Sequence, residues 1–162
     1  MSKTILVLRT CRSDMWASDA GMTWPEKGLV KDARFDFLDE EDFPLHGGLH
    51  GLIWGEGNPS HVINFEDGAR WVVTRVYTGK KNFVTLCGGK CRFARGEVVH
   101  TGTQESATRY IYTHGGRGHA ITGANVRLSI KELQEIVDHC EGMVSSIRRK
   151  EGSKQDDATN AT

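Results

Sequence analysis

Two histidines, His46 and His50, stand four residues apart in the stretch HGGLHGLIWGEG, residues 46–57, and two cysteines, Cys87 and Cys91, repeat that spacing further on. Both intervals fall within the range used by tetrahedral zinc ligands, which makes His46, His50, Cys87 and Cys91 the metal candidates. A plainer account competes with it. Paired zinc cysteines are mostly two residues apart, and glycines around His50 serve tight turns equally well. The plainer account is preferred, and no resident cofactor is expected. Glycine also lets a backbone turn or approach a partner where a Cβ would clash. His50 and Trp54 are therefore expected on a strand or tight loop with little bulk around them, open to a ligand.

A second group of residues could bind anions. Arg70, Arg75, Lys80, Lys81, Lys90, Arg92 and Arg95 are interleaved with Trp71, Tyr77, Phe83 and Phe93. Cations neutralise phosphates and exposed rings stack on bases, so this pattern, with Trp54, suits a nucleic acid. The competing account is a sheet with inward rings and solvated cations. Cys87-Gly88-Gly89-Lys90 could form a small nest of backbone N–H groups, although a hairpin turn explains it too. Cys11, Cys87 and Ser106 are nucleophile types with histidines elsewhere in the chain, but no catalytic elbow surrounds any of them.

The net charge of +0 conceals an asymmetry between segments. Residues 1–69 carry 6 Lys/Arg against 12 Asp/Glu, residues 70–131 carry 11 against 2, and residues 132–162 carry 4 against 7. The middle third could thus present a basic face to an anionic partner. A chain of 162 residues with 38% hydrophobic and 26% charged residues fits one soluble domain. No apolar run approaches bilayer-crossing length. The opening MSKTILVLRT lacks a signal-peptide cleavage site, so a cytosolic chain with thiols rather than disulfides is expected.

The elements follow from periodicity. Ile5, Leu6, Val7 and Leu8 form a continuous apolar run, the pattern of a strand buried on both faces. Residues 13–31 read as irregular, and 32–42 as an acidic loop pinned by its aromatics. Short strands are expected over 61–65, 71–78, 83–87, 90–93, 97–100 and 118–128, with Asp67-Gly68 and Gly88-Gly89 as turns. Residues 101–114 predict a helix stopped by Gly115-Gly116. Ser129 with Glu132 forms a capping box, and Ile130, Leu133, Val137, Cys140, Val144 and Ile147 follow at helical spacing. The expected fold is α+β, mostly antiparallel sheet with two late helices, the second amphipathic over 129–148. Residues 1–148 form one globular domain, and 149–162 a disordered tail.

Three segments together carry a resemblance: Leu6-Val7-Leu8-Arg9-Thr10-Cys11; Gly48-Leu49-His50-Gly51-Leu52 with Trp54-Gly55; and Gly89-Lys90-Cys91-Arg92-Phe93 followed by Arg95-Gly96-Glu97-Val98-Val99, Ala107 and Tyr110-Ile111. Over residues 4–114 the chain resembles an uncharacterised domain of bacterial and phage proteins, often found at the head of longer chains with glycine-threonine-alanine repeats. Gly118-His119-Ala120-Ile121-Thr122-Gly123 resembles one degenerate copy of that repeat. The resemblance implies a phage or mobile-element setting and no particular chemistry. By order alone, Arg9, His50 and Glu97 are also similar to the layout of small ADP-ribosyltransferases. That likeness implies Arg9 on the NAD ribose or phosphate, His50 near the nicotinamide and Glu97 stabilising the oxocarbenium charge.

The resulting expectation is a cytoplasmic, non-catalytic phage accessory protein in a bacterial host. It would engage nucleic acid or a host nucleoprotein through residues 70–95, in host takeover or anti-defence, with no membrane partner. The alternative is an NAD-dependent ADP-ribosyltransferase-like enzyme. Oligomeric state is left open by the sequence.

Overall fold

The run Ile5-Leu6-Val7-Leu8 lies in β1 (Thr4–Cys11), and every residue of that strand after Thr4 is buried. A strand apolar on both faces needs neighbours on both edges and cover above and below. β1 has all four. The structure is a computed structural model that describes residues 3–17, 21–36, 47–79 and 81–115, together with 131, 134, 137 and 138. The chain divides into two compact units, Met1–Val126 and Arg127–Thr162.

In the first unit, β1 is followed by β2 (Trp16–Ala17), β3 (Met22–Thr23), β4 (Gly28–Lys31), β5 (Leu49–Ile53), β6 (Arg70–Tyr77), β7 (Phe83–Thr85), β8 (Lys90–Phe93), β9 (Arg95–Gly102) and the helix α1 (Gln104–Gly115). Seven strands form one sheet in the order β4-β9-β6-β1-β5-β8-β7, with every neighbouring pair antiparallel. β2 and β3 make a separate hairpin. The α+β class and the mostly antiparallel sheet are therefore as expected. Residues 13–31 are not irregular, since they supply that hairpin and an edge strand. Residues 61–65 form no strand among the described residues, because the N–H groups of Val62 and Ile63 turn back onto the carbonyl of Pro59.

Directly paired residues of antiparallel strands share a face. Ile5, Val7, Arg9 and Cys11 thus lie with Val76, Thr74, Val72 and Arg70 on one side, and Leu6, Leu8 and Thr10 with Arg75, Val73 and Trp71 on the other. The first face is covered by Met15, Ala17 and Trp24 of the hairpin region, the second by Ala107 and Ile111 of α1. A bulge in the β6–β9 pairing leaves Val99 without a partner between Val98, opposite Thr74, and His100, opposite Val73; Val98 lies in the first core and Val99 packs against the second.

α1 opens on a reciprocal cap. Thr103 Oγ1 accepts the N–H of Ser106 at 3.2 Å, and Ser106 Oγ accepts that of Thr103 at 2.9 Å. In the second unit Lys131, Gln134, Val137 and Asp138 are helical, and Gln134 donates to Asp138 at 2.8 Å. Most of the expected helix 129–148, the strand 118–128, the repeat-like segment 118–123 and the tail 149–162 lie outside the described residues.

Candidate functional site

The glycines around position 50 pack rather than open. A Cβ on Gly51 would strike Val7 Cγ1 and lie 2.9 Å from the carbonyl of Leu8, so glycine is what lets β5 sit against β1. Gly48, at φ +120, faces Arg92 and Phe35, each 2.8 Å from where its Cβ would be. His50 is only 4% exposed, walled in beside Arg92, its partner on β8. Trp54 is half-buried at φ 58 and packs against both cores. The expected imidazole and indole open to a ligand are therefore side chains of the interior or its margin.

Arg9 is 2% exposed. Its guanidinium donates to the carbonyls of Thr10 and His50, both at 3.2 Å, and lies 4.6 Å over the Trp24 ring. Those contacts satisfy a buried cation with carbonyl dipoles and a π face. The register places Arg9 on the hairpin face and Glu97, through Arg75 and Leu6, on the α1 face. Glu97 is exposed and bonds Arg75 at 3.0 Å. Arg9 thus touches the backbone of His50, while its side chain and that of Glu97 face opposite sides. The three form no common cleft.

Strand alternation also divides the basic residues. Arg70 pairs with Glu26 at 3.4 Å on the hairpin face, and Arg75 with Glu97 on the other. Arg92 is buried, 5.6 Å over the Phe35 ring, and donates to the Asp36 carbonyl at 3.1 Å. Lys81 and Arg95 are exposed and Lys90 half-buried, whereas Lys80 lies outside the described residues. Of the interleaved rings, Trp71 and Phe93 are core.

His46 lies outside the described residues. His50 pairs with Arg92, and Cys91 with Gly51, so the imidazole and the thiol occupy opposite faces of the sheet. Burial pushes the Cys91 thiol far up, and its Sγ lies 3.5 Å from the carbonyl of Gly51. Cys87 sits exposed in a 3-10 turn, Cys87–Gly89, that packs against the Gly57 loop. Among the described residues no group of three His, Cys, Asp or Glu side chains is placed to hold a metal. Ser106 lies 2.9 Å from His100 Nε2, but its hydroxyl also serves the α1 cap, donating to the carbonyl of Thr103 at 3.0 Å.

Two arrangements escaped the sequence. Asp32, in the segment read as a solvated acidic loop, is buried and receives N–H groups from Arg34 and Gly48 and the guanidinium of Arg34. A ring ladder, His100 on Tyr110 at 5.2 Å and Tyr110 on His114 at 3.9 Å, ties β9 to α1. A helix over 101–114 sets residues 110 and 114, four apart, on one face. The pairing to β9 was not.

No protein-family model matches the chain, and no solved structure matches it. Curated bacterial proteins do. The chain is 40% identical over 110 residues to an ice nucleation protein of Pseudomonas fluorescens, covering 68% of this chain and 8% of that one. It is 37% identical over 113 residues to ice nucleation protein InaU of Pantoea ananas, 68% of this chain and 10% of that one. It is 36% identical over 107 residues to an ice nucleation protein of Pseudomonas syringae, 65% of this chain and 9% of that one. The chain spans about a tenth of the length of the curated relatives it matches. These likenesses overturn the phage or mobile-element accessory protein with its anti-defence role. They equally overturn the resemblance to small ADP-ribosyltransferases and the nucleic acid or host nucleoprotein partner. The cytoplasmic placement, read from the missing cleavage site, and the exclusion of a membrane partner, read from the lack of a long apolar run, are withdrawn as well, because the relatives are ice nucleation proteins. Among the described residues no helix is long and apolar enough to cross a membrane.

Proposed function

We propose that this chain is a globular module of the ice nucleation type, working with a larger nucleating surface rather than forming one. The observation that carries this is 40% identity over 110 residues to a protein of which those residues make up 8%. The geometry supports it. Templating ice requires an extended, flat, regularly repeated array of water-ordering groups, and both faces of this sheet are largely spent on cores beneath α1 and the hairpin. A module without a broad free face can position or assemble a nucleating array but cannot supply its area.

Droplet freezing tests this. The matched segment of the Pseudomonas fluorescens protein is deleted, or replaced by residues 1–126 of this chain. The expected results are that the deletion lowers the freezing temperature, the replacement restores it, and this chain alone freezes droplets no warmer than buffer. A deletion that freezes like the parent, or a replacement that stays at the deletion's temperature, would sink the reading.

We also read residues 129–148 as the second helix of the fold, supported by the helical state of Lys131, Gln134, Val137 and Asp138. Backbone chemical shifts without a continuous helical run there would refute it.

A further inference from the structure

At the C-terminal end of β1, between the turn leading into β2 and the turn at residues 59–62, lies a cleft of about 170 Å³. That is room for several waters or a small organic ion, well below the ~300–1,000 Å³ of pockets that enclose drug-sized ligands. Its walls are fixed. Arg12 donates its backbone N–H to Trp16 at 2.9 Å, Met15 to Arg12 at 2.8 Å, and Thr10 to Val62 at 3.1 Å. Met15 and His61, in the two flanking turns, hold φ values of 65 and 68, which non-glycine residues keep only where their surroundings dictate it.

The lining offers donors without matching acceptors. The Arg12 guanidinium is exposed and makes no hydrogen bond or ion pair to any described residue. Thr10 Oγ1 accepts the Asn64 N–H at 2.6 Å, and its own proton has no acceptor among the described residues, although Thr10 is only 5% exposed. A buried hydroxyl with its donor unused favours a ligand oxygen. The buried guanidinium of Arg9 also borders the cleft, and no carboxylate among the described residues lines it. The rest of the wall is mixed: the indole of Trp16, 37% exposed, with Cys11, Ala17, Val62 and Ile63 forms an apolar side, and His61 and Asn64 a polar one. Two unspent donor groups suit two acceptor oxygens, where a phosphate dianion would bring four. The apolar side formed by Trp16, Val62 and Ile63 suits a short hydrocarbon body.

We propose that this cleft binds a small monocarboxylate, its oxygens shared between the Arg12 guanidinium and the Thr10 hydroxyl and its body laid against Trp16, Val62 and Ile63. This inference stands apart from the ice nucleation reading.

The test titrates the full chain with propionate, butyrate and benzoate at constant ionic strength. Amide chemical shifts and Trp fluorescence are followed, with butyramide and inorganic phosphate as comparison probes. Saturable shifts at Thr10, Trp16 and Val62 are expected with the carboxylates. Arg12→Ala should weaken binding about tenfold or more, as loss of a charge-assisted pair does. Arg12 is exposed, so the variant's fold is unaffected and its unbound spectrum should match the parent's. Trp16→Phe should bind while losing the fluorescence change. The proposal is overturned if no carboxylate saturates, if butyramide binds as well as butyrate, if phosphate binds more tightly than the carboxylates, or if Arg12→Ala leaves affinity unchanged.

Discussion

Asp32 concentrates more interactions than any motif the sequence advertised. The Arg34 guanidinium bonded to it pulls its carboxyl down to about 2, burial opposes this, and the N–H groups of Arg34 and Gly48 add to the lowering. A carboxylate depressed in the folded state stabilises the fold fully above its ordinary value of 3.8, and that stability is lost as pH falls from there towards about 2. Asp32→Ala strands the buried N–H of Gly48 and should cost about 1–3 kcal/mol at neutral pH, read by denaturant unfolding. Asp32→Asn should in addition flatten the fall in stability between pH 4 and 2. A wild-type acid profile retained in Asp32→Asn would remove this account. His100 works in the same sense: burial, then the nearby His114, holds it below its ordinary value, so its contribution also fades as pH falls beneath that value.

At the scale of elements, β5 is the joint that ties β8 and β7 to the rest of the sheet, with β1 on one edge and β8 on the other. Gly51 sits at the middle of that joint. A methyl group there meets Val7 and the Leu8 carbonyl, and neither a core side chain nor a central strand's backbone can easily retreat. Gly51→Ala is therefore expected to destabilise by about 1–3 kcal/mol through overpacking. Urea unfolding measures it, and a change within experimental error would show that β5 has slack the geometry denies. Gly79, which has nothing within 4 Å of its Cβ position, is the control, and Gly79→Ala should be nearly neutral.

Across the whole first unit, Cys91 reports cooperativity. It is fully buried in the first core, and its thiol is pushed far above the usual range by burial. Thiolate is the reactive species, so alkylation needs exposure by opening of the sheet. The logarithm of its alkylation rate in the native protein, followed by mass spectrometry, should fall linearly with the free energy of global unfolding as that is varied with denaturant. Rapid modification of Cys91 in buffer, without unfolding, would mean that this edge of the sheet opens alone.

Much of the framework was legible because its signals are local. The apolar run of β1, the alternation of β6, the bounds of β8 and the helical span of α1 are each written within a few residues. The site was not, because side-chain roles depend on which face of a strand meets what. Strand parity sends Arg70 and Arg75 to opposite sides, and packing turns His50, Arg9 and Arg92 into interior groups. By itself the sequence determined an α+β chain built on a central doubly buried strand. The tertiary structure alone decided that glycines around position 50 close a core rather than open a pocket, since only the neighbouring strand shows where a Cβ would have to go.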